Sequence, residues 1–370
     1  MARIHDPADR PWRFLVSTNR GLEAIASEEL AELGLEDTNK LYPGMVECTG
    51  PPTAIPRLNT RGRTIHRVLL ELGRATCHSL AEIADVVERV TLPRYLDTDQ
   101  SFAVRAQRRG DHPFESPEVE SRVGQAIVDS YERGERPTVD LENPDLVVRV
   151  FVREELGIVT VDTTGQRSLH RRQNRVVEHE APIRPTMAAT MYRLAAPRPG
   201  EVVVDPMCGC GTIPLEIAAT ELGYPVDIGR ERAFRRFRIP EIEATENSMD
   251  LSGETLDITI VGGDVDERAV TGARQNAGSG GLAGEISFAI ADARTQWLDA
   301  DVVVTDMPFG HRTGGDIRPL YADFGAQLAA SSCRRAVIHT TRANLLDVEP
   351  SQRFEMRRGR LESDLLVVDY

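Results

Sequence analysis

The feature that most constrains this chain is a rhythm that sets in near residue 185: a short apolar strand, a turn closed by glycine or aspartate, then a helix. EVVVDPMCGCGTIPLEIAATEL (201–222) is followed by ITIVGGDVDERAVTGARQNA (258–277), ISFAIADA (286–293), DVVVTDMPFG (301–310) and RAVIHTT (335–341). Apolar strands alternating with helices specify an α/β fold, a doubly wound parallel sheet of Rossmann-like type. Such a sheet binds its ligands in the crevice beyond the carboxyl ends of its strands, so those ends are the residues to examine. One stretch, 225–256, interrupts the rhythm with polar, arginine-rich sequence of weak helical periodicity. The sequence assigns it no role.

The first strand ends at Asp205 and runs through Pro206, Met207, Cys208, Gly209, Cys210, Gly211 and Thr212 into a helix expected from Pro214. Glycines there let the backbone approach a ligand closely, and the helix start offers free N–H groups. A dinucleotide fingerprint wants a third glycine where Pro214 stands, which argues against nicotinamide or flavin. Cys208 and Cys210 have no second Cys/His pair at zinc-site spacing, so no metal is expected. The next strand ends in Gly262-Gly263-Asp264-Val265-Asp266, where a carboxylate can accept from two ribose hydroxyls; Asp264 is the first choice and Asp266 the second. The third ends in Asp292-Ala293, an acceptor for an adenine amino group. Either aspartate alone could serve as a helix cap or turn residue. Three in order describe a nucleoside site. The fourth strand ends in Asp306-Met307-Pro308-Phe309: an acceptor for an exocyclic amine, a rigid kink, and a ring able to stack on a base taken out of its helix.

The N-terminal half patterns differently. WRFLVSTN (12–19) alternates like a strand, and 21–34 sets Leu22, Ile25, Ala26, Leu30 and Leu33 on one helical face before Gly34. Strand patterns at 65–72, 102–109 and 146–164 and helical ones at 79–90 and 118–133 make a mixed α+β region, with proline-rich points at 51–56 and 182–185 as candidate junctions. Net charge is −14, awkward for a phosphate-binding protein, yet Lys40 is the sole lysine and every other basic residue is arginine, which grips phosphate bidentately. Excess acid with scarce lysine resembles the proteins of halophilic archaea; a GC-rich genome would explain the arginines but not the acidity. Arg105, Arg108 and Arg109, with His112 nearby, and then His170, Arg171, Arg172 and Arg175 are expected to form a phosphate track. An odd five cysteines, no apolar run near the roughly 20 residues of a membrane span and an N-terminus without a signal pattern lead to the expectation of a soluble, cytoplasmic monomer.

These motifs resemble the class I methyltransferases that modify amino groups, whose fourth motif is (Asn/Asp)-Pro-Pro-(Tyr/Phe). DPMCGCGTIPLEIA (205–218), DMPFGHR (306–312) and LHRRQNRVVEHEAPIRPTMAA (169–189) are similar to the THUMP-domain tRNA guanine-N2 methyltransferases, particularly the branch acting on the sixth nucleotide of the acceptor stem. FLVSTNRGLEAIASEEL (14–30) resembles that family's ferredoxin-like domain, and FAVRAQRRGDHPF through VDTTGQRSLHRR (102–172) resembles its THUMP domain. The resemblance implies a ferredoxin-like domain at 1–75, a THUMP RNA-binding domain at 76–165 holding the 3′ end of tRNA, a linker at 166–185 and a catalytic domain at 186–370. It implies S-adenosyl-L-methionine as cofactor, set against Asp205, Cys208, Gly209, Gly211, Thr212, Asp264, Asp292 and Ala293. Phe309 would stack on a flipped guanine while Asp306 and the Pro308 carbonyl accept from its N2 amine. Met307 stands where many relatives have proline, and Asp306 where others have asparagine, which loosens the choice of target. Another guanosine (tRNA position 10 or ribosomal RNA), adenine N6, or a non-catalytic RNA-binding role are the alternatives.

Overall fold

The alternation of WRFLVST forms strand β1 (Trp12–Thr18), with Phe14, Leu15 and Val16 fully buried. Helix α1 (Glu23–Glu32), strands β2 (Glu36–Tyr42) and β3 (Met45–Gly50), helix α2 (Ala54–Arg61) and strand β4 (Ile65–Thr76) follow. Their strand order, β2-β3-β1-β4, is that of a ferredoxin-like sheet. The sheet continues past β4 through helix α3 (Leu80–Glu88), β5 (Ser101–Arg109), helix α4 (Ser116–Asp129), β6 (Thr138–Val139), β7 (Leu146–Arg153) and β8 (Leu156–Asp162), adding β8-β7-β5-β6 to give eight strands. The division expected at 75/76 thus falls on β4, a strand of 12 residues that pairs with β8 from Leu69 to Thr76. The proline-rich stretch 51–56 is not a junction: it opens α2, where Pro56 sits in the first turn and needs no N–H partner. The computed structural model describes residues 11–370 apart from 91, 132–134, 173–175, 178–181, 227–230, 250–252, 254, 296–299, 310–315 and 359–360.

The chain divides into two compact units, the first made of Met1–Ser17, Ser27–Leu169 and Gly229–Asp250, the second of the remainder. In the second, helix α5 (Pro185–Ala195) precedes β9 (Val202–Asp205) and α6 (Thr212–Glu221); after helix α7 (Pro240–Ser248), which belongs to the first unit, come β10 (Thr259–Asp264), α8 (Glu267–Ser279), β11 (Ile286–Ile290), β12 (Val302–Asp306), α9 (Arg318–Ala330), β13 (Arg335–Thr340), β14 (Gln352–Arg358) and β15 (Leu361–Asp369). The sheet order is β11-β10-β9-β12-β13-β15-β14. The first five strands are parallel, and β15 and β14 are antiparallel additions. The expected all-parallel sheet therefore carries an antiparallel edge, because the link between β14 and β15 is far too short for a parallel crossover. Both faces are covered. Val302 and Val304 share a core with α5 and α6, while Val303 meets Tyr321, Phe324 and Leu328 of α9. Strand order reverses between β9 and β12, which puts the crevice at the ends of β9, β10 and β12. No helix among the described residues is long and apolar enough to cross a membrane.

Most of the stretch 225–256 that the sequence left without a role, residues 229–250, belongs to the first unit. Phe234 is fully buried there, its N–H donates to the Thr163 carbonyl (3.0 Å), and the Arg238 N–H donates to that of Arg94 (3.0 Å). Phe237 meets Tyr95 edge-on at 5.9 Å, and Tyr95 in turn meets Trp12. The Arg236 and Arg238 guanidiniums hold Asp145 and Asp97, and that of Arg232, buried, reaches the Arg167 carbonyl at 3.2 Å.

Candidate active site

The turn after β9 is shaped by two glycines. Gly209 has φ +52° and open space where a Cβ would stand, leaving the rim of the turn free for a ligand. Gly211, with φ +82°, caps α6, which opens at Thr212, two residues before the expected Pro214 start, and a Cβ on Gly211 would meet the Phe288 ring at 3.2 Å. Thr212 opens the helix and is buried, as is Cys208, whose N–H donates to the Gly263 carbonyl at 2.8 Å. Burial pushes the Cys208 thiol well above its ordinary range, with Asp205 and Asp264 adding to it.

Asp205 is buried at 3% exposure and accepts from the Thr305 hydroxyl (2.9 Å) and the Met207 N–H (3.2 Å). Burial raises its carboxyl well above the usual range; those two hydrogen bonds pull it down, and the neighbouring Asp264 and Asp306 push it further up. No basic side chain meets it among the described residues. Asp264 accepts from the Gly209 N–H (2.8 Å) and the Asp266 N–H (2.9 Å), tying the glycine turn to the end of β10 while each oxygen keeps a lone pair. Asp266, the second choice, is instead the cap of α8, accepting from the Arg268 N–H at 2.9 Å. Asp292 is engaged by the Arg294 guanidinium through both oxygens (Nε to Oδ1 at 3.0 Å, Nη2 to Oδ2 at 2.6 Å), which lowers its pKa; an adenine amine would have to share it. Ala293 is buried beside it.

The end of β12 is held by β13, whose last residues no sequence argument had singled out. The register sets Asp306 opposite His339, and His339 Nδ1 lies 2.7 Å from Asp306 Oδ1. The Met307 N–H donates to the His339 carbonyl (3.0 Å), a bond that proline in this position could not make. Phe309 meets the His339 ring edge-on at 5.6 Å. The Tyr321 hydroxyl, buried, donates to the Pro308 carbonyl (3.0 Å) and accepts from Thr340 Oγ1 (2.8 Å), which itself accepts from the Arg342 N–H (3.0 Å). His339 and Thr340 thereby hold all four residues of the Asp-Met-Pro-Phe motif, Thr340 acting through Tyr321. His339 could have been found by applying the strand-end rule to RAVIHTT; Tyr321 carries no such signal.

The basic residues fare unequally. In the first unit Arg109 is exposed, Arg108 pairs with Glu115 (2.8 Å) and Arg105 donates to the Leu141 carbonyl. In the second unit His170 is half-buried and Arg171 exposed. Arg172 corrects the expectation: it is turned inward into a buried ion pair with Glu216 at 2.8 Å, so its charge is spent inside the unit. Arg175 lies outside the described residues. Next to this segment Asn276, fully buried on α8, accepts from the Val176 and Val177 N–H groups (both 2.9 Å) and donates to the carbonyls of Val177 (2.9 Å) and Cys210 (3.0 Å). Among the described residues no group of three His, Cys, Asp or Glu could hold a metal ion.

Comparison with known proteins gives three family matches: the RlmL ferredoxin-like domain over residues 13–69, the THUMP domain over 77–162, and the RMKL-like methyltransferase domain over 172–363. A tRNA (guanine(6)-N2)-methyltransferase of Archaeoglobus fulgidus is 32% identical over 327 residues, covering 87% of this chain and 80% of that one. Its counterpart from Methanocaldococcus jannaschii is 30% identical over 363 residues, 93% of this chain and 94% of the other. Among solved structures, TrmN from Thermus thermophilus aligns with a TM-score of 0.74 at 28% identity over 97% of this chain and 99% of its own.

Proposed function

The chain belongs to the THUMP-containing, RMKL-like family and is an S-adenosylmethionine-dependent tRNA (guanine-N2-)-methyltransferase; from that premise we propose that its target is guanosine 6 of the acceptor stem. The observation that carries the reaction is the held Asp-Met-Pro-Phe motif at the end of β12, beside the glycine turn of β9. The choice of position rests on about 30% identity that runs through both units to two enzymes named for that position.

The residues present suit the cofactor. Asp205 is a buried carboxylate that meets no basic side chain among the described residues, a partner for an α-ammonium group; Asp264 has lone pairs left for ribose hydroxyls; and the rim at Gly209 is open to a ligand. Cys208, Gly211 and Thr212 shape the turn, and Asp292 with Ala293 receives the adenine edge. When bound, S-adenosylmethionine supplies an electrophilic methyl group on sulfur. Asp306 Oδ2 and the second lone pair of the Pro308 carbonyl accept from the guanine N2 amine and orient its nitrogen lone pair at the methyl carbon; Phe309 stacks on the base. The methyl group would pass from the sulfonium to N2, leaving its S–C electron pair on a neutral thioether sulfur, and the aminium proton would be released to solvent water. Positioning supplies the acceleration, and the first unit, through Arg105, Arg108 and Arg109, takes the unpaired 3′ end of tRNA.

Incubation with labelled S-adenosylmethionine and a tRNA transcript at elevated salt, followed by nucleoside mass spectrometry and mapping, should place N2-methylguanosine at position 6. Deleting the CCA end should remove most activity. Asp306→Ala should retain cofactor binding and lose turnover by about 10²-fold or more, the scale for a group contacting the reacting centre. Modification of a different guanosine would refute the position, and N6-methyladenosine would refute the base.

A further inference from the structure

Three of the four residues of the motif that handles the base are held from one neighbouring strand, by one residue, His339: its ring nitrogen meets Asp306, its carbonyl the Met307 N–H, and its ring edge Phe309. Two of these act on side chains that the reaction uses. At 2.7 Å from a carboxylate oxygen, which only accepts, His339 Nδ1 must carry the proton. That fixes the imidazole tautomer and occupies Oδ1, so that Oδ2 is the oxygen left to accept; among the described residues no other hydrogen bond reaches the Asp306 carboxylate. An aspartate free to rotate about χ2 would present either oxygen, or neither, to an incoming amine, because that terminal torsion is broad.

We propose that His339 is a positioning residue for methyl transfer, donating through Nδ1–H to hold the Asp306 carboxylate in a single aim while its ring sets the angle of Phe309. The proposal rests on Asp306 being the acceptor of the N2 amine. The donor contributes to turnover, since it acts on the oxygen pair that orients the nucleophile, and contributes little to capture of tRNA or cofactor. His339 is largely buried, with 11% of its side chain exposed, so solvent does not readily replace it as a donor.

The test uses the full chain with His339→Asn, His339→Phe and His339→Ala, alongside Asp306→Ala. Asparagine places an N–H close to the position of Nδ1 and cannot titrate, whereas phenylalanine keeps a ring without a donor; alanine is a donor-free variant too small to overpack. A hydrogen bond to a charged group corresponds to about 10-fold or more in rate when it is lost from the transition state. The phenylalanine and alanine variants are therefore expected to lose kcat by about 10-fold with KM for tRNA and for S-adenosylmethionine within about two-fold of the parent. Asparagine is expected to restore kcat to within about three-fold. Thermal unfolding of each variant identifies any that do not fold. Parental kcat in either donor-free variant, or an asparagine variant as slow as alanine, would overturn the proposal. If Asp306→Ala alone is inactive while all His339 variants turn over normally, the positioning role fails and the reading of Asp306 stands; if Asp306→Ala is fully active, that reading fails first.

Discussion

At the scale of single residues, the most consequential group is Asp205, because it combines full burial, hydrogen bonds from Thr305 and Met207, and two acidic neighbours. Its folded-state pKa is raised, so its contribution to stability is complete below the unfolded value and is lost as pH rises through the folded one. Asp205→Asn removes that loss. It should raise the thermal midpoint of the cofactor-free protein at neutral pH and above while weakening S-adenosylmethionine binding, measured by thermal unfolding with and without cofactor and by calorimetry. A midpoint lowered in the absence of cofactor would mean that a partner already compensates the charge. The strand-end carboxylates themselves were legible in the sequence, since a strand followed by a glycine or aspartate turn marks where a ligand sits. What they touch was not. Nothing in DVDER tells that Asp266 caps a helix and Asp264 holds the Gly209 N–H, or that the arginine two residues after Asp292 closes on it.

Among elements, α8 shows how a helix with few large apolar residues can still organise a site. Gly272 and Asn276 lie one turn apart on it, a Cβ on Gly272 would meet Val177 Cγ1 at 3.0 Å and Cys210 Sγ at 3.1 Å, and Asn276 binds the backbone on both sides of that contact. The two residues seat segment 176–177 against the glycine turn. Asn276→Ala removes the partner of two backbone donors and two carbonyl acceptors, at about 1–3 kcal/mol for each one left buried and unpaired, and should lower both the unfolding free energy and cofactor affinity. Asn276→Asp, which keeps the acceptor but turns a buried oxygen toward the Val177 and Cys210 carbonyls, should cost at least as much. Unchanged denaturant midpoint and cofactor affinity in Asn276→Ala would show that the segment is held elsewhere. Elements of this kind explain what sequence reading caught and missed. β9, β10 and β12 announce themselves as apolar runs because both their faces are covered, whereas β2 (EDTNKLY) is an edge strand with a polar sequence and passed unread. The apolar face of 21–34 was legible, yet Leu22, just before α1, joins the core of the second unit while Leu30, on α1, is buried within the first.

For the whole molecule, composition misleads in a useful way. A chain of net −14 belongs to a tRNA-modifying family, and some of its arginines are already engaged: Arg172 by Glu216, Arg236 by Asp145, Arg334 by Glu201 at 2.7 Å. Counting charges therefore overstates what is available to phosphate, and the overall architecture was legible from periodicity and motif while the charge bookkeeping was not. The membership of residues 229–250 was illegible for a related reason: their partners, Tyr95, Asp97, Asp145 and Thr163, lie far away in sequence, and no local pattern encodes them. A fragment ending at residue 169 should accordingly unfold at lower temperature than the same fragment supplied with a 229–250 peptide; equal midpoints would show that the insertion adds nothing to the unit it joins. That segment also imposes an order of events on the ribosome. The first unit is not complete when its own N-terminal sequence has emerged: the faces that residues 229–250 cover, around Tyr95 and Thr163, stay open until β9 and α6 of the catalytic sheet have been synthesised and the nascent chain has passed residue 250.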